Sequence, residues 1–298
     1  MVRVQARDRW VRFQRRLAPY LFVSPFYVLF LVFLVIPVFF ALYASFTNWA
    51  GLEVPQFVGI RNYINLFRDK TFQLALVNNI WYSGASVFIV IPLALFLAVL
   101  LSANWLRGRE VFRAVYFAPI LTSAVVVGII FILLYDYRYG LLNWALAQLG
   151  LPTPNWLGAR ELKKPAVIGL IVWRWTGHHM IYFLAGLQSI PQELYEAAMV
   201  DGANRLRSFI HITLPLLRPV LLFVVVTTTI GSFQIFEEPY VLGAGPADSG
   251  LSLAMYLYRV GFQYMRQGFG SSVGFVLFAI IFSLSLIQTK YFGLFREE

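Results

Sequence analysis

Residues 189–215 read SIPQELYEAAMVDGANRLRSFIHITLP, and this stretch decides how the chain is organised. It carries three acidic residues and two arginines, and it connects the long apolar run 165–192, whose last residues it shares, to a second one, 219–242. Gly202 tolerates the left-handed conformation that often ends a helix, and Pro215 disrupts a helix that reaches it. The stretch therefore predicts two short helices that lie outside lipid and are separated at Gly202.

Several apolar runs long enough to span a membrane precede and follow this stretch. A spanning helix needs about 20 apolar residues. Six runs reach or approach that length, and away from their ends only Arg174 and the pair Glu237 and Glu238 place charges in them. They predict an all-α integral membrane protein with six transmembrane helices, over residues 20–46, 73–103, 113–135, 165–189, 217–242 and 270–291.

The composition of the whole chain agrees with a protein embedded in lipid. Of the 298 residues, 59% are apolar and 13% are charged, against roughly 45–50% and 25% in soluble globular proteins. The mean hydropathy is +0.70. A soluble fold of this length has too little interior to bury so much apolar surface. The composition excludes an ordinary soluble enzyme and a disordered chain, and the absence of cysteine excludes a disulfide framework.

The basic residues indicate the orientation in the bilayer. The net charge is +10, but the lysines and arginines are spread among short segments between apolar runs, which is typical of a membrane protein rather than of a nucleic-acid-binding one. With a cytoplasmic N-terminus, 14 of the 24 basic residues fall on the inner side and nine on the outer side. We therefore expect both termini in the cytoplasm, with residues 1–19 forming a basic amphipathic tail at the membrane surface.

Catalytic and metal-binding motifs are missing from the sequence. His178 and His179 are adjacent, so on a helix they point about 100° apart and do not form the i, i+4 pair that grips a metal ion. No lysine follows a glycine, so the phosphate-binding loop of an ATPase is absent. No nucleophile elbow is present. We expect no catalytic residues, no metal site and no bound cofactor in this chain.

The stretch around Gly202 resembles a known family. Glu196-Ala197-Ala198, then Gly202, then Ile212-x-Leu214-Pro215 matches the spacing of the EAA loop in the permease subunits of bacterial ABC importers. The segments FLAGLQSIP at 183–191 and SFQIF at 232–236 are similar to the carbohydrate-uptake branch of these permeases. The departures from that branch are the sequence GAGP at 243–246, in place of a run of glycines, and the paired acids Glu237 and Glu238.

The resemblance implies a type I ABC importer permease in the bacterial inner membrane. Residues 71–291 would form the permease core, and the loop over 190–216 would be the coupling helix segment. Its implied partners are a second related permease, two ATP-binding subunits that use ATP and Mg²⁺, an external solute-binding protein and a carbohydrate. The residues that would contact the ATPase are Glu196, Ala197, Ala198, Asp201, Gly202, Ile212, Leu214 and Pro215.

Charged and aromatic residues inside the spans are candidates for the substrate path. A charge at the centre of a span costs about 2.5–3.5 kcal/mol on insertion scales, and such residues tend to face a cavity. Spacing of i, i+4 places Arg174 with His178 on one helix face, and Gln234 with Glu238 on another. We include Glu237 and Tyr240 in the same candidate path. The structural alternative is that Arg174 pairs with Glu237 or Glu238, or extends toward the outer surface.

Other functions remain open at this stage. Within the same family, the substrate could instead be glycerol phosphate or a polyol. An ion-coupled secondary transporter usually has internal repeats and more spans, and no repeat is visible here. A membrane enzyme needs a catalytic constellation that the sequence does not offer.

Overall fold

The described part of the chain is helical. The computed structural model describes residues 17–51, 54–103 and 106–291. Within these ranges no β-sheet is formed, and the only extended pairing is one isolated bridge between Thr47 and Phe57. The predicted basic tail lies almost entirely outside the described residues.

These ranges contain a short 3₁₀ helix at Pro246–Asp248 and thirteen α-helical segments, three of them with a π-helical turn inside and one followed by such a turn. They are α1 (Leu17–Ser45), α2 (Arg61–Arg68), α3 (Lys70–Ser102), α4 (Arg109–Leu121), α5 (Ala124–Leu134), α6 (Leu141–Gln148), α7 (Arg160–Gln188), α8 (Gln192–Val200), α9 (205–216), α10 (Arg218–Phe233), α11 (Glu237–Leu242), α12 (Leu253–Tyr258) and α13 (Gln267–Tyr291).

Three long helices, α3, α7 and α10, form the centre of the bundle. Toward one end, Leu97 of α3, Phe183 of α7 and Val224 of α10 share a buried apolar cluster. In a second cluster, Val90 and Leu170 pack with residues of α5. A third cluster joins α2, the start of α3, the end of α10, α12 and α13. The first cluster therefore joins all three helices, while the second joins α3 to α7 and the third joins α3 to α10.

A glycine allows α4 to approach α7 closely. A Cβ atom on Gly177 would overlap the carbonyl oxygen of Tyr116 in α4. Only a residue without a side chain permits this contact, in which the backbone of α7 lies directly against the backbone of α4. Gly177 therefore fixes how α4 crosses the centre of the bundle.

Two of the predicted spans are interrupted in the structure. The predicted helix 113–135 is divided into α4 and α5, which are bent by 100°. Thr122 and Ser123 take extended or non-helical backbone angles there, and the Thr122 hydroxyl donates to the carbonyl of Ala118, a side-chain bond that competes with helix continuation. The predicted helix 217–242 breaks at 234–236 because Pro239 cannot donate a backbone hydrogen bond and crowds the preceding turn.

The spans that the structure supports by length and composition are fewer than six. Four described helices, Leu17–Ser45, Lys70–Ser102, Arg218–Leu242 taken across its break, and Gln267–Tyr291, are long and apolar enough to cross a membrane. A fifth is obtained if the bent pair α4 and α5 is one span. Helix α7 is not among them. Nearly all of α1 is exposed, and only Ala44 and Ser45 at its end are buried.

Candidate functional site

A cavity of about 440 Å³ lies among α3, α7, α10 and α11. Its volume falls within the range of about 300–1,000 Å³ that is typical of small-molecule sites. The wall combines aromatic rings with small polar side chains and two carboxylates. Its lining residues are Ser86, Val90, Ile171, Trp175, His179, Thr227, Thr228, Gly231, Ser232, Gln234, Ile235, Phe236, Glu237 and Glu238.

A buried ion-pair network stands at the α11 side of this cavity. The guanidinium Nη1 of Arg174 lies 2.9 Å from Glu238 Oε1 and 3.1 Å from Glu237 Oε2. Trp175 donates its indole N–H to the same Glu238 oxygen at 2.8 Å. The Glu238 side chain is 4% exposed and the Glu237 side chain 61%. Glu238 is therefore a buried carboxylate held by two α7 donors, whereas Glu237 pairs with Arg174 from a largely exposed position.

Two buried nitrogens near the cavity have no hydrogen-bond partner within the described ranges. His179 Nε2 lies 3.0 Å from the Thr228 hydroxyl, but its Nδ1 is unpartnered. Arg174 Nε is unpartnered as well. Buried polar atoms are almost always hydrogen-bonded in folded proteins. With Thr227, Ser232 and the amide of Gln234 in the wall, the cavity offers both donors and acceptors to a polar ligand.

The structure brings together only part of the predicted substrate path. Gln234, Glu237 and Glu238 line the cavity, and Arg174 stands behind the two acids as their partner. Two other predicted residues are outside the lining: His178 packs on Phe117 and Tyr182, and Tyr240 stacks on Phe236 with ring centroids 4.7 Å apart.

Most of the polar lining was not predicted as part of the path. His179, Ser86, Thr227, Thr228 and Ser232 belong to it. The sequence TTTIGS at 227–232 could have predicted these residues. Hydroxyl groups and a glycine inside an apolar span indicate a helix face that packs on other helices rather than on lipid.

A second cavity of about 460 Å³ lies between α1, α13 and the turn after α12. Its wall is almost wholly apolar, with Val38, Leu257 and Phe278 among its residues. The polar side chains among its lining residues are those of Trp49, Gln267 and Ser271, and no charged group stands with them to orient a ligand. We therefore place the candidate site at the α7–α11 cavity.

The loop over 190–216 forms a pair of short helices joined by a side-chain contact. Gly202 has φ of +78° and ends α8, with the backbone N–H of Ala203 donating to the Ala198 carbonyl at 2.8 Å. The Asn204 side chain accepts from the Arg207 backbone N–H and caps α9. The hydroxyls of Tyr195 and Thr213 lie 2.9 Å apart and tie the two helices together. The predicted separation at Gly202 is thus observed, while the Tyr195–Thr213 contact was not predicted.

Helix α8 leaves large apolar side chains exposed. None of its residues is buried. Met199 is 63% exposed and Val200 is 88% exposed, close to the carboxylates of Glu196 and Asp201. A helix that carries charges and also leaves large apolar residues uncovered is typical of a surface that binds a protein partner.

Residues 75–292 match the family of the binding-protein-dependent transport system inner membrane component. The chain belongs to this family. The resemblance based on the 196–215 motif is thereby confirmed, because this family comprises the membrane components of binding-protein-dependent transporters.

Curated relatives and solved structures agree with this assignment. The chain is 41% identical over 289 residues to the arabinooligosaccharides transport system permease protein AraP of Bacillus subtilis (strain 168), covering 96% of this chain and 92% of the relative. It is 35% identical over 275 residues to the lactose transport system permease protein LacF of Rhizobium radiobacter, covering 90% and 92%. A crystal structure of a bacterial alginate ABC transporter in complex with an alginate pentasaccharide-bound periplasmic protein superposes with a TM-score of 0.84 at 25% identity, covering 94% and 96%.

The family and these relatives establish the general function. The chain is an ABC sugar transport permease and an inner membrane component, and it has the type I ABC importer permease fold. The relatives are transport permeases, in agreement with the expected non-enzymatic transport subunit.

Proposed function

We propose that this permease forms half of a translocation pathway for a neutral oligosaccharide, with the α7–α11 cavity as its carbohydrate site and the α8–α9 pair as its contact with a separate ATP-binding subunit. The observation that carries the proposal is the polar, aromatic-walled cavity beside Arg174 and Glu238. In this scheme ATP and Mg²⁺ act on the partner subunits.

The chemistry of the cavity wall supports a carbohydrate. Sugars present hydroxyl groups, which need both donors and acceptors, and apolar ring faces, which stack on aromatic rings. Gln234, Ser232 and Glu237 supply the polar contacts, and Trp175 and Phe236 supply the rings. AraP and LacF are permeases for arabinooligosaccharides and lactose, which supports an oligosaccharide in particular.

The charge of the site supports a neutral substrate. Arg174 is already bound by two carboxylates, so the network carries one net negative charge. A phosphate or uronate would meet this charge without a free cation among the lining residues. We therefore rank a neutral saccharide above glycerol phosphate, and a polyol stays as the second candidate because it presents the same hydroxyl groups.

The uncovered apolar side chains of α8 support the contact with an ATP-binding subunit. Glu196 is exposed, and it accepts a hydrogen bond only from Gln192 within the described residues. We propose that it pairs with a basic group of that subunit. The Tyr195–Thr213 contact lets α8 and α9 transmit movement as one unit.

We propose six spans, with α7, which the apolar run 165–189 predicted, as the sixth beside the five that length and composition support. Its 29 residues are long enough to cross the bilayer, and its one mid-span charge, Arg174, is neutralised within the bundle. The remaining charges of α7 lie in its first five residues, at one end. With both termini cytoplasmic, the α8–α9 pair faces the cytoplasm. A second permease, two ATP-binding subunits and a solute-binding protein complete the proposed assembly.

Uptake into proteoliposomes that contain the assembled transporter and its binding protein tests the function. We expect ATP-dependent uptake of a neutral arabinose- or galactose-containing oligosaccharide, and uptake at least tenfold slower for a uronate oligosaccharide of the same length. Dissipating ion gradients should leave the rate unchanged.

Two results would redirect the proposal. Uptake that ignores ATP and stops when the ion gradient collapses would identify a secondary transporter. ATP-driven uptake of a phosphate ester in preference to a neutral saccharide would place the substrate among the glycerol phosphates and contradict the charge argument.

A further inference from the structure

Lys163, in the first turn of α7, is a buried cation that the transport scheme above does not use. The residue is 1% exposed, and its Nζ donates to the carbonyl oxygen of Leu242. Within the described ranges no carboxylate lies within 4.0 Å of Nζ. Lysine is almost never fully buried unless it is paired, because removing its charge from water is costly. Burial of Lys163 therefore implies that its contacts compensate for the cost of removing the charge from water.

The loop over 243–250 closes around the stem of this lysine. A Cβ atom on Gly245 would lie 2.6 Å from Lys163 Cγ, and one on Gly250 would lie 2.9 Å from it. Gly245 has φ of +73°, which glycine adopts readily. The two glycines thus allow the backbone of the loop to pack directly on the side chain. The departure GAGP from the branch pattern falls in this loop.

The central helix α3 holds the same loop from another side. Tyr82 donates its hydroxyl to the Gly250 carbonyl at 3.0 Å, and Asn78 donates its amide to the carbonyls of Leu251 and Asp248 at 2.9 and 3.2 Å. The loop is therefore fixed between α3 and α7 rather than free in solvent.

Helix α7 contacts both ends of the short helix α11. Lys163 and Arg174 are eleven residues apart, which is about three helical turns, so they lie on nearly the same face of α7. Arg174 binds the acids in the first turn of α11, and Lys163 binds the carbonyl of its last residue, where backbone acceptors are left over. A six-residue helix is too short to be stable on its own, so its position depends on these two contacts.

We propose that Lys163 is a positioning residue for the carbohydrate cavity. By holding the C-terminal end of α11 and the 243–250 loop on α7, it keeps Glu237 and Glu238 in the cavity wall while the spans move. This inference rests on the proposed function of the cavity. In the assembled transporter, a loosened α11 lets substrate leave the cavity before it is carried across, while the ATP-binding subunits continue to hydrolyse ATP.

The number of carbohydrate molecules transported per ATP hydrolysed tests this role. A variant that merely folds poorly lowers both rates equally and leaves the ratio unchanged. For Lys163→Met, which keeps the stem and removes the ammonium group, we expect the ratio to fall about fivefold while ATP hydrolysis per assembled transporter stays within about twofold of the parent. Lys164→Met, at the neighbouring half-buried lysine, is the matched control and should leave the ratio unchanged.

A distance measurement makes the test independent of the substrate. Because the chain has no cysteine, spin labels can be placed on cysteines at Tyr240 in α11 and Phe88 in α3, both of which are exposed. Electron–electron resonance should give a narrow distance distribution in the parent and in Lys164→Met, and a broader one in Lys163→Met. If the parent transports no carbohydrate, the proposed function fails, and the distance result still decides whether Lys163 positions α11.

An unchanged transport ratio together with an unchanged distance distribution in Lys163→Met would overturn the proposal. If that variant does not assemble, Tyr82→Phe releases the same loop from α3 without altering charge. We expect it to lower the ratio about twofold and broaden the distribution. A well-assembled Tyr82→Phe transporter with neither change would overturn the proposal equally.

Discussion

Replacing Arg174 by Met is expected to destabilise the folded chain and to lower its level in the membrane. The substitution keeps an apolar stem but leaves Glu238, whose side chain is 4% exposed, as a buried carboxylate without its cation. Removing one member of a buried ion pair typically costs about 3–5 kcal/mol. We expect a loss of this size in thermal or denaturant stability of the purified transporter, with a matching drop in membrane level.

Two further variants separate the ion pair from general damage. Arg174→Met combined with Glu238→Gln removes both charges, and it should recover most of the lost stability because no unpaired charge remains in the interior. Glu237→Gln alters a carboxylate whose side chain is 61% exposed and should change stability by less than about 1 kcal/mol. A stable Arg174→Met transporter, or a double variant no better than the single one, would contradict the structural role of the pair.

Replacing Gly177 by Ala is expected to disrupt the crossing of α4 over α7. The added Cβ would overlap the Tyr116 carbonyl oxygen, which is backbone and cannot rotate away. Overpacking of this kind costs about 1–3 kcal/mol. We expect a lower melting temperature of the assembled transporter and slower uptake, because α4 can relieve the overlap only by moving away from α7.

The matched control for this substitution is Gly84→Ala in α3. Apart from its chain neighbours and the adjoining backbone of its own helix, no described atom lies within 4 Å of a Cβ built on Gly84, so the methyl group has room. Alanine favours a helix over glycine by about 1 kcal/mol, and the control should match or slightly exceed the parent in stability. Equal stability of the Gly177 and Gly84 variants would show that the α4–α7 contact is not as close as described.

The parts of this molecule that were predictable from sequence are those encoded by local pattern. Hydropathy predicts most of the long helices because a helix that crosses the bilayer needs about 20 consecutive, mostly apolar residues. The break after α8 was predictable because Gly202 alone supplies the φ of +78° that is observed there. The candidate ion pair followed from charges placed inside apolar runs, and Arg174 does pair with both acids.

The parts that were not predictable depend on partners distant in the chain. Lys163 and Leu242 are 79 residues apart, and nothing near Lys163 in the sequence distinguishes it from Lys164. The i, i+4 spacing from Arg174 favoured His178, but it is His179 that lines the cavity, where its Nε2 lies 3.0 Å from the Thr228 hydroxyl of α10. The bend between α4 and α5 has a different origin: it was missed because hydropathy is continuous through Thr122 and Ser123, although the Thr122 hydroxyl bonds locally to the Ala118 carbonyl.

Crosslinking from the α8–α9 pair tests the central claim, that this permease is driven through a contact with a separate ATP-binding subunit. A single cysteine at Ala197, which is exposed on α8, would be the only thiol of the chain. In the assembled transporter we predict a crosslink to the ATP-binding subunit from this position and none from a cysteine at Tyr139, which is 88% exposed in the segment between α5 and α6. An Ala197 cysteine that stays unlinked, or a Tyr139 cysteine that links to that subunit, would contradict the account.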